Sequence, residues 1–180
     1  MRIVVGITGA SGIDYAVTLL KAFKEEVLLI ISEHGKRLIE IESQTSQKEI
    51  ESLAKEVYED DDLEAGISSG SSDFDAMVIV PCSMSTLSKI ACGIADTLIT
   101  RTASVSLKEG RKLIVVPRET PLSKIHIDNM SRLAGAGATI LPAMPAFYTK
   151  PEEVQHMVDF VVGKILESLG MEHDLYKKWK

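Results

Sequence analysis

The sequence predicts a doubly wound parallel sheet, an α/β three-layer sandwich of flavodoxin-like or Rossmann-like type. Three observations lead there. Short apolar runs suited to buried strands recur at residues 2–7, 27–31, 76–80, 113–116 and 138–141. Helical apolar patterns fill most of the intervals, and strands alternating with helices pair in parallel. A glycine-rich turn, Gly6-Ile7-Thr8-Gly9-Ala10-Ser11-Gly12, leads out of the first run into the first helix.

In that helix Ile13, Ala16, Val17, Leu20 and Phe23 share one face. The glycines before it let the backbone turn tightly and approach a ligand closely. Ser11 and the free N–H groups at the helix start suit an anion, with the helix dipole assisting. The spacing is G-x-x-G-x-x-G and not the dinucleotide G-x-G-x-x-G, which favours a mononucleotide. A plain strand-to-helix turn has the same glycine content. The second strand ends at Ser32, which either caps the helix of residues 33–41 or bonds a ligand. A further helix with a polar face is expected over residues 46–57. The acidic run Glu59, Asp60, Asp61, Asp62 and Glu64 reads as a solvated linker, with a magnesium-binding carboxylate motif as the alternative.

Residues 66–72, small and polar, form a linker or wrap a ligand. The third strand leaves through Pro81-Cys82-Ser83-Met84-Ser85-Thr86. There Ser83, Ser85 and Thr86 bring hydroxyls and N–H groups to another helix start. Cys82 reads as a small packed residue and not a nucleophile, since no histidine lies near it in sequence. Residues 87–108 are rich in Ala and Ser and divide into two helices near Gly93 and Asp96. Arg101 and Lys108 fall two helical turns apart on one face. They are either solvated or part of a cationic cluster with Arg118.

The fourth strand feeds Val116-Pro117-Arg118-Glu119-Thr120-Pro121-Leu122. The two prolines stop strand and helix alike, so Arg118 and Glu119 sit on a stiff loop. Open α/β sheets bind ligands at that end of their strands. The pair is an anion-binding Arg beside a proton-handling Glu, or a solvated ion pair worth little. A helix over residues 123–134 ends near Gly135 and Gly137. The fifth strand leads into Pro142-Ala143-Met144-Pro145-Ala146-Phe147-Tyr148, kept extended by its prolines. Pro151 is placed to start the last helix. Val154, Met157, Val158, Val161, Ile165 and Leu169 form its core face, with Lys164 to one side. The tail, residues 171–180, carries Leu175, Tyr176 and Trp179 at helical spacing and docks on its own domain or a neighbour.

Composition narrows the class. With 180 residues, the chain is long enough for one domain with a proper core, spanning residues 1–180. Apolar residues make up 45% and charged residues 26%, a surplus that points to subunit contacts. No apolar run nears the ~20 residues of a spanning helix, so no membrane association is expected. The first strand begins at once, which leaves no signal peptide. A net charge of −6 argues against general nucleic-acid binding. Cys82 and Cys92 make neither a zinc pattern nor a disulfide framework, so no metal is expected and a reducing cytoplasm fits.

Four stretches in order, GITGASG, PCSMSTLSKIACGIADTLITR, RETPL and PAMPAFY, closely resemble the UbiX-type flavin prenyltransferases. The likeness runs from Arg2 to Trp179. It implies a metal-independent enzyme that joins a dimethylallyl group, from dimethylallyl monophosphate, to N5 and C6 of reduced FMN. The flavin is then a substrate, and the prenylated FMN serves a UbiD-type decarboxylase. The resemblance implies FMN contacts from Gly9, Ala10, Ser11, Ser32, Ser83, Met84, Ser85, Thr86 and Arg118. It implies that Lys108, Arg118, Tyr148 and Lys164 hold the prenyl phosphate; at Lys164 the family commonly has arginine. Arg101 would support the site, Glu119 with Ser11 would handle protons, and Trp179 would close the pocket. The family is typically dodecameric, with sites near subunit contacts.

The resemblance leaves two other readings. The related flavin-dependent cysteine decarboxylases use a histidine shortly before the third strand and a Pro-x-Met-Asn clamp. Here no histidine falls between His34 and His126, and Pro142-Ala143-Met144-Pro145 ends in proline where the clamp has Asn. A non-catalytic FMN-binding or carrier protein would leave Lys108, Arg118 and Lys164 without a purpose beyond the FMN phosphate.

Overall fold

Strands at the centre of the sheet are apolar throughout because helices cover both faces. The computed structural model describes residues 1–179. Strands β1 (Arg2–Ile7), β2 (Glu26–Ile31), β3 (Glu56–Glu59), β4 (Ala76–Cys82), β5 (Lys112–Pro117) and β6 (Thr139–Ile140) make one parallel sheet in the order β3-β2-β1-β4-β5-β6. This is the strand order of dinucleotide-binding domains; without the short edge strand β3 it becomes the flavodoxin order. In either description the order reverses between β1 and β4, so the ligand crevice opens above those two strands.

The helices are α1 (Ile13–Ala22), α2 (Glu33–Glu42), α3 (Gln47–Glu51), α4 (Met84–Ala91), α5 (Leu98–Lys108), α6 (Lys124–Gly135) and α7 (Val154–Leu169). Alternation along β1 separates two cores. Ile3, Val5 and Ile7 meet Leu19 of α1 and Val161 and Ile165 of α7 on one face. Val4, with Met77 and Ile79 of β4, meets Leu87 of α4 and Ile99 of α5 on the other. Each of these side chains is essentially excluded from water, and burying one typically stabilises by about 1.5–3 kcal/mol. Serine and threonine start the helices as their chemistry predicts. Ser32, Ser46, Ser83, Thr97 and Ser123 each accept an N–H from the first turn of α2, α3, α4, α5 and α6.

Four expectations need correction. The helix expected over residues 46–57 is only α3, held by a Ser46/Glu49 capping box. The chain then turns at Leu53 and Ala54, and β3 pairs with β2, Val57 opposite Leu29 and Tyr58 opposite Ile30. The acidic run is an exposed linker only from Asp61 on, since Glu59 closes β3 and Asp60 accepts the Leu98 and Ile99 N–H groups at the start of α5. Pro151 does not begin the last helix; α7 starts at Val154 with Glu153 as its cap. The tail beyond Gly170 is irregular and not helical, although Leu175 and Tyr176 do pack on their own core.

Candidate active site

The two strands that flank the crevice are tied at their ends by one buried residue. The Thr8 hydroxyl donates to the Pro81 carbonyl at 2.9 Å and accepts from the Ser83 N–H at 2.8 Å. A cleft of about 620 Å³ opens beside this junction, lined by Gly9, Ser32, His34, Ser83, Ser85, Thr86, Asp60 and Thr97 among others. Gly9 is required there, because a Cβ would lie 2.5 Å from that of His34. The starts of α2, α4 and α5 converge on the cleft, bringing hydroxyls and the positive ends of three helices. Ser32 serves as cap and lining at once, its Oγ accepting from the Gly35 N–H at 3.1 Å. Met84 and Ala10 are nearly buried; the Met84 side chain belongs to the core, so its backbone is what remains for a ligand. Cys82 is buried too, which pushes its thiol up, in line with a packing role.

Polar side chains at this end already have partners. The Asp60 carboxylate accepts from the Ile99 N–H at 2.9 Å, and its carbonyl accepts from the Leu98 N–H at 2.7 Å. Burial raises the Asp60 carboxyl above its usual range, outweighing the Ile99 N–H and the Thr97 hydroxyl. Glu59 pairs with Lys36 at 2.7 Å. Among the described residues no group of three or more His, Cys, Asp or Glu is placed to hold a metal ion.

The start of α1 holds a residue that sequence reasoning missed. Glu42 Oε1 accepts from the N–H groups of Gly12 at 2.6 Å and Ile13 at 2.7 Å. Burial pushes the Glu42 carboxyl up, but these N–H groups, the Ser11 hydroxyl and the nearby Arg118 together hold it below its usual range. The N–H groups expected to be free for an anion are thus occupied by the protein's own carboxylate. Arg118 arches over this point, its Nε donating to the Ser11 carbonyl at 3.1 Å. Gly12 permits the turn with φ 116°, in the left-handed region that favours glycine. Glu119 follows on the exposed loop, its Oε1 accepting from the Thr120 N–H at 3.0 Å.

The other expected cations lie elsewhere in the chain. Arg101 donates from Nε to the Ser68 carbonyl at 2.9 Å, and Lys108 pairs with Glu109 at the end of α5. Helix α5 starts at the cleft and runs 11 residues back down the sheet, to the turn that enters β5 at Lys112. Lys108 therefore sits at the end of the sheet where the strands begin and Arg118 at the end where they finish. Within one subunit the expected cluster of Arg101, Lys108 and Arg118 does not form. Lys164, on α7, pairs with Glu167 at 2.6 Å. Tyr148 meets the Trp179 ring edge-on at 5.0 Å and the Phe160 ring at 5.9 Å. A second hollow, about 470 Å³, lies between Tyr148, Thr149, Lys150, Lys177, Lys178 and Trp179.

A parallel sheet with a hydroxyl-lined crevice at its switch point, faced by three helix starts, defines a binder of phosphorylated cofactors. The family model described as Flavoprotein matches residues 1–166. The chain is 58% identical to the flavin prenyltransferase UbiX of Thermoplasma acidophilum over 180 residues, 99% of this chain and 100% of that one. It is similar to the crystal structure of AnUbiX (PadA1) in complex with FMN and dimethylallyl pyrophosphate, with TM-score 0.97, 40% identity and coverage of 99% and 97%. It is equally similar to a dodecameric FMN-dependent UbiX-like decarboxylase from Escherichia coli O157:H7, with TM-score 0.97, 43% identity and full coverage of both chains, 100% each. The chain belongs to the UbiX-type flavin prenyltransferase family.

Proposed function

We propose that this chain joins the dimethylallyl group of dimethylallyl monophosphate to N5 and C6 of reduced FMN, supplying prenylated FMN to a UbiD-type decarboxylase in the cytoplasm. The observation that carries the proposal is the meeting of Ser11, Glu42 and Arg118 at the start of α1, beside the hydroxyl-lined cleft. The cleft fits the flavin mononucleotide: helix starts and hydroxyls from Ser83, Ser85 and Thr86 suit its phosphate and polar edges. Gly9, Ala10, Ser32 and Met84 would line its path.

Reduced flavin supplies the nucleophile, and the protein positions it and excludes water. Arg118 is a fixed cation for the leaving phosphate, needing no reorganisation as charge develops. The aromatic pair Tyr148 and Trp179 shelters an allyl cation. Ring closure releases a proton, for which Glu119 on the exposed loop and the Ser11–Glu42 pair are the acceptors. Lys108 and Lys164 reach the phosphate from neighbouring subunits of a homododecamer, with Arg101 in support; the course of α5 away from the Arg118 loop supports this reading for Lys108. The deciding experiment is mass spectrometry of FMN after anaerobic incubation with reductant, dimethylallyl monophosphate and the protein. A prenyl adduct on the flavin is expected; unmodified FMN would reject the proposal.

A further inference from the structure

Among the described residues, the C-terminal tail has no regular backbone structure beyond Gly170, yet it is held at specific points on α7. The first is a gap. A Cβ on Gly163 would lie 2.5 Å from Tyr176 Cε1 and 2.6 Å from His173 Cε1, so both rings sit in the space that the missing side chain leaves. The second is a carboxylate. Glu167 Oε1 accepts from the Tyr176 hydroxyl at 2.9 Å and faces His173 Nε2 at 3.5 Å and Lys178 Nζ at 3.3 Å. Its other oxygen accepts from Lys164 at 2.6 Å. The His173 side chain is only 3% exposed, and its Nδ1 accepts from the Leu175 N–H at 3.2 Å, folding the tail back on itself.

From there an aromatic relay runs to the hollow lined by Tyr148 and Trp179. Tyr176 lies on Phe160 at 4.7 Å, Phe160 on Tyr148 at 5.9 Å, and Tyr148 on Trp179 at 5.0 Å. Trp179 is still 75% exposed, so burial does not fix its place. Its ring meets Tyr148, and the contacts that order the preceding residues converge on Glu167 and Gly163.

We propose that Gly163 and Glu167 form a latch for the tail, and that Glu167 is a positioning residue that seats Trp179 against Tyr148. The positioning role rests on the reading of those two aromatics as walls of the prenyl-phosphate site. Glu167 touches no reacting atom; it acts through Tyr176 and the tail. The Lys164–Glu167 pair also links the latch of one subunit to the substrate of its neighbour. A lysine drawn toward phosphate leaves Glu167 to Tyr176, His173 and Lys178 alone.

The chain has one tryptophan, Trp179, so time-resolved fluorescence anisotropy of the full-length protein reads tail mobility directly. Gly163→Ala separates the latch from general stability. It improves helix propensity in α7 while filling the space that seats His173 and Tyr176. Its thermal midpoint should hold or rise, while Trp179 gains a fast nanosecond component. KM for dimethylallyl monophosphate should rise about tenfold, the scale at which misplaced site groups act, with FMN affinity unchanged. Glu167→Ala should move the same readouts in the same direction. Glu167→Gln, which keeps an acceptor for Tyr176, should fall between it and the wild type. Unchanged anisotropy in both Gly163→Ala and Glu167→Ala would overturn the latch. Greater mobility with wild-type KM would overturn the positioning role. A wild-type protein that makes no prenylated FMN fails the functional reading and the positioning role with it, while the anisotropy still decides the latch.

Discussion

The cleft above β1 and β4 and the aromatic tail are held by different means. At the cleft, backbone does the holding: strands end in register, helices start on capping residues, and Thr8 joins two strand ends through one hydroxyl. The tail is held mainly by side chains, on the gap at Gly163 and the carboxylate of Glu167. The cleft is therefore preorganised as part of the fold, whereas the tail can loosen without the fold noticing. Under the proposed function, this division gives the flavin a rigid floor and the second substrate a separately adjustable wall.

The sharpest test of the division lies between the two regions, on the loop after β5. Glu119→Gln should leave FMN binding intact, because Glu119 makes no contact that shapes the cleft. It should slow prenyl transfer or ring closure by roughly 10²–10⁴-fold if Glu119 moves the proton. Single-turnover kinetics would show this, and a wild-type rate would make Glu119 an ordinary solvated loop residue and leave the proton to Ser11 and Glu42. Next in size is Thr8→Val, aimed at the backbone-held region. It strands the Ser83 N–H in the interior, at a cost of about 1–3 kcal/mol. Chemical denaturation should show a global loss of stability, and FMN titration a weaker complex. If only flavin affinity fell, the idea that the cleft is part of the global fold would be wrong.

The smallest effect belongs to the tail and to acid. Lys164, Tyr176 and Lys178, against the opposing effect of burial, hold the Glu167 carboxyl at about 2, below its ordinary value of 4.5. A depressed carboxyl stabilises the folded arrangement above its unfolded value and loses that contribution as it becomes protonated. Tail anchoring should thus be complete above pH 4.5 and decline as pH falls toward 2. Asp60, raised by burial, changes in the opposite sense and favours the folded cleft on acidification. Trp179 anisotropy should therefore loosen before far-UV ellipticity falls, and Glu167→Ala should abolish that early phase. Simultaneous loss of both signals would mean that the two regions are one cooperative unit.

The same contrast explains what the sequence disclosed. Strands β1, β2, β4 and β5 were legible because burial on both faces demands unbroken apolar runs, the edge strand β6 because its run leads into the proline-marked loop, and the helix caps because Ser and Thr have a local chemical reason to be there. β3 was hidden because Glu56-Val57-Tyr58-Glu59 lies at the sheet edge, mostly in water, and its strand character comes only from pairing with β2. Glu42 was hidden for a related reason: it closes onto Gly12 and Ile13 across 30 and 29 residues, with no periodicity to announce it. In the tail, Leu175, Tyr176 and Trp179 have helical spacing without forming a helix, since rings seated on another helix impose no period of their own. The motifs located the cleft residues but not the geometry of the cations. Arg101 and Lys108 do share a helix face, but α5 runs away from the Arg118 loop, and direction along a helix is invisible in spacing.

Glu42 has one more consequence. In dinucleotide-binding domains of this strand order, the diphosphate rests on the helix start that follows the first strand. Here that seat is filled, with the carboxylate 2.6 and 2.7 Å from the two N–H groups that a diphosphate would need. An NAD-like ligand would have to press two negative phosphates onto a partly buried negative charge. Rejection is thus built into the floor of the crevice, as discrimination by repulsion and not by better contacts. A single carboxylate from a neighbouring helix lets an architecture shared with dinucleotide enzymes select a cofactor with one phosphate.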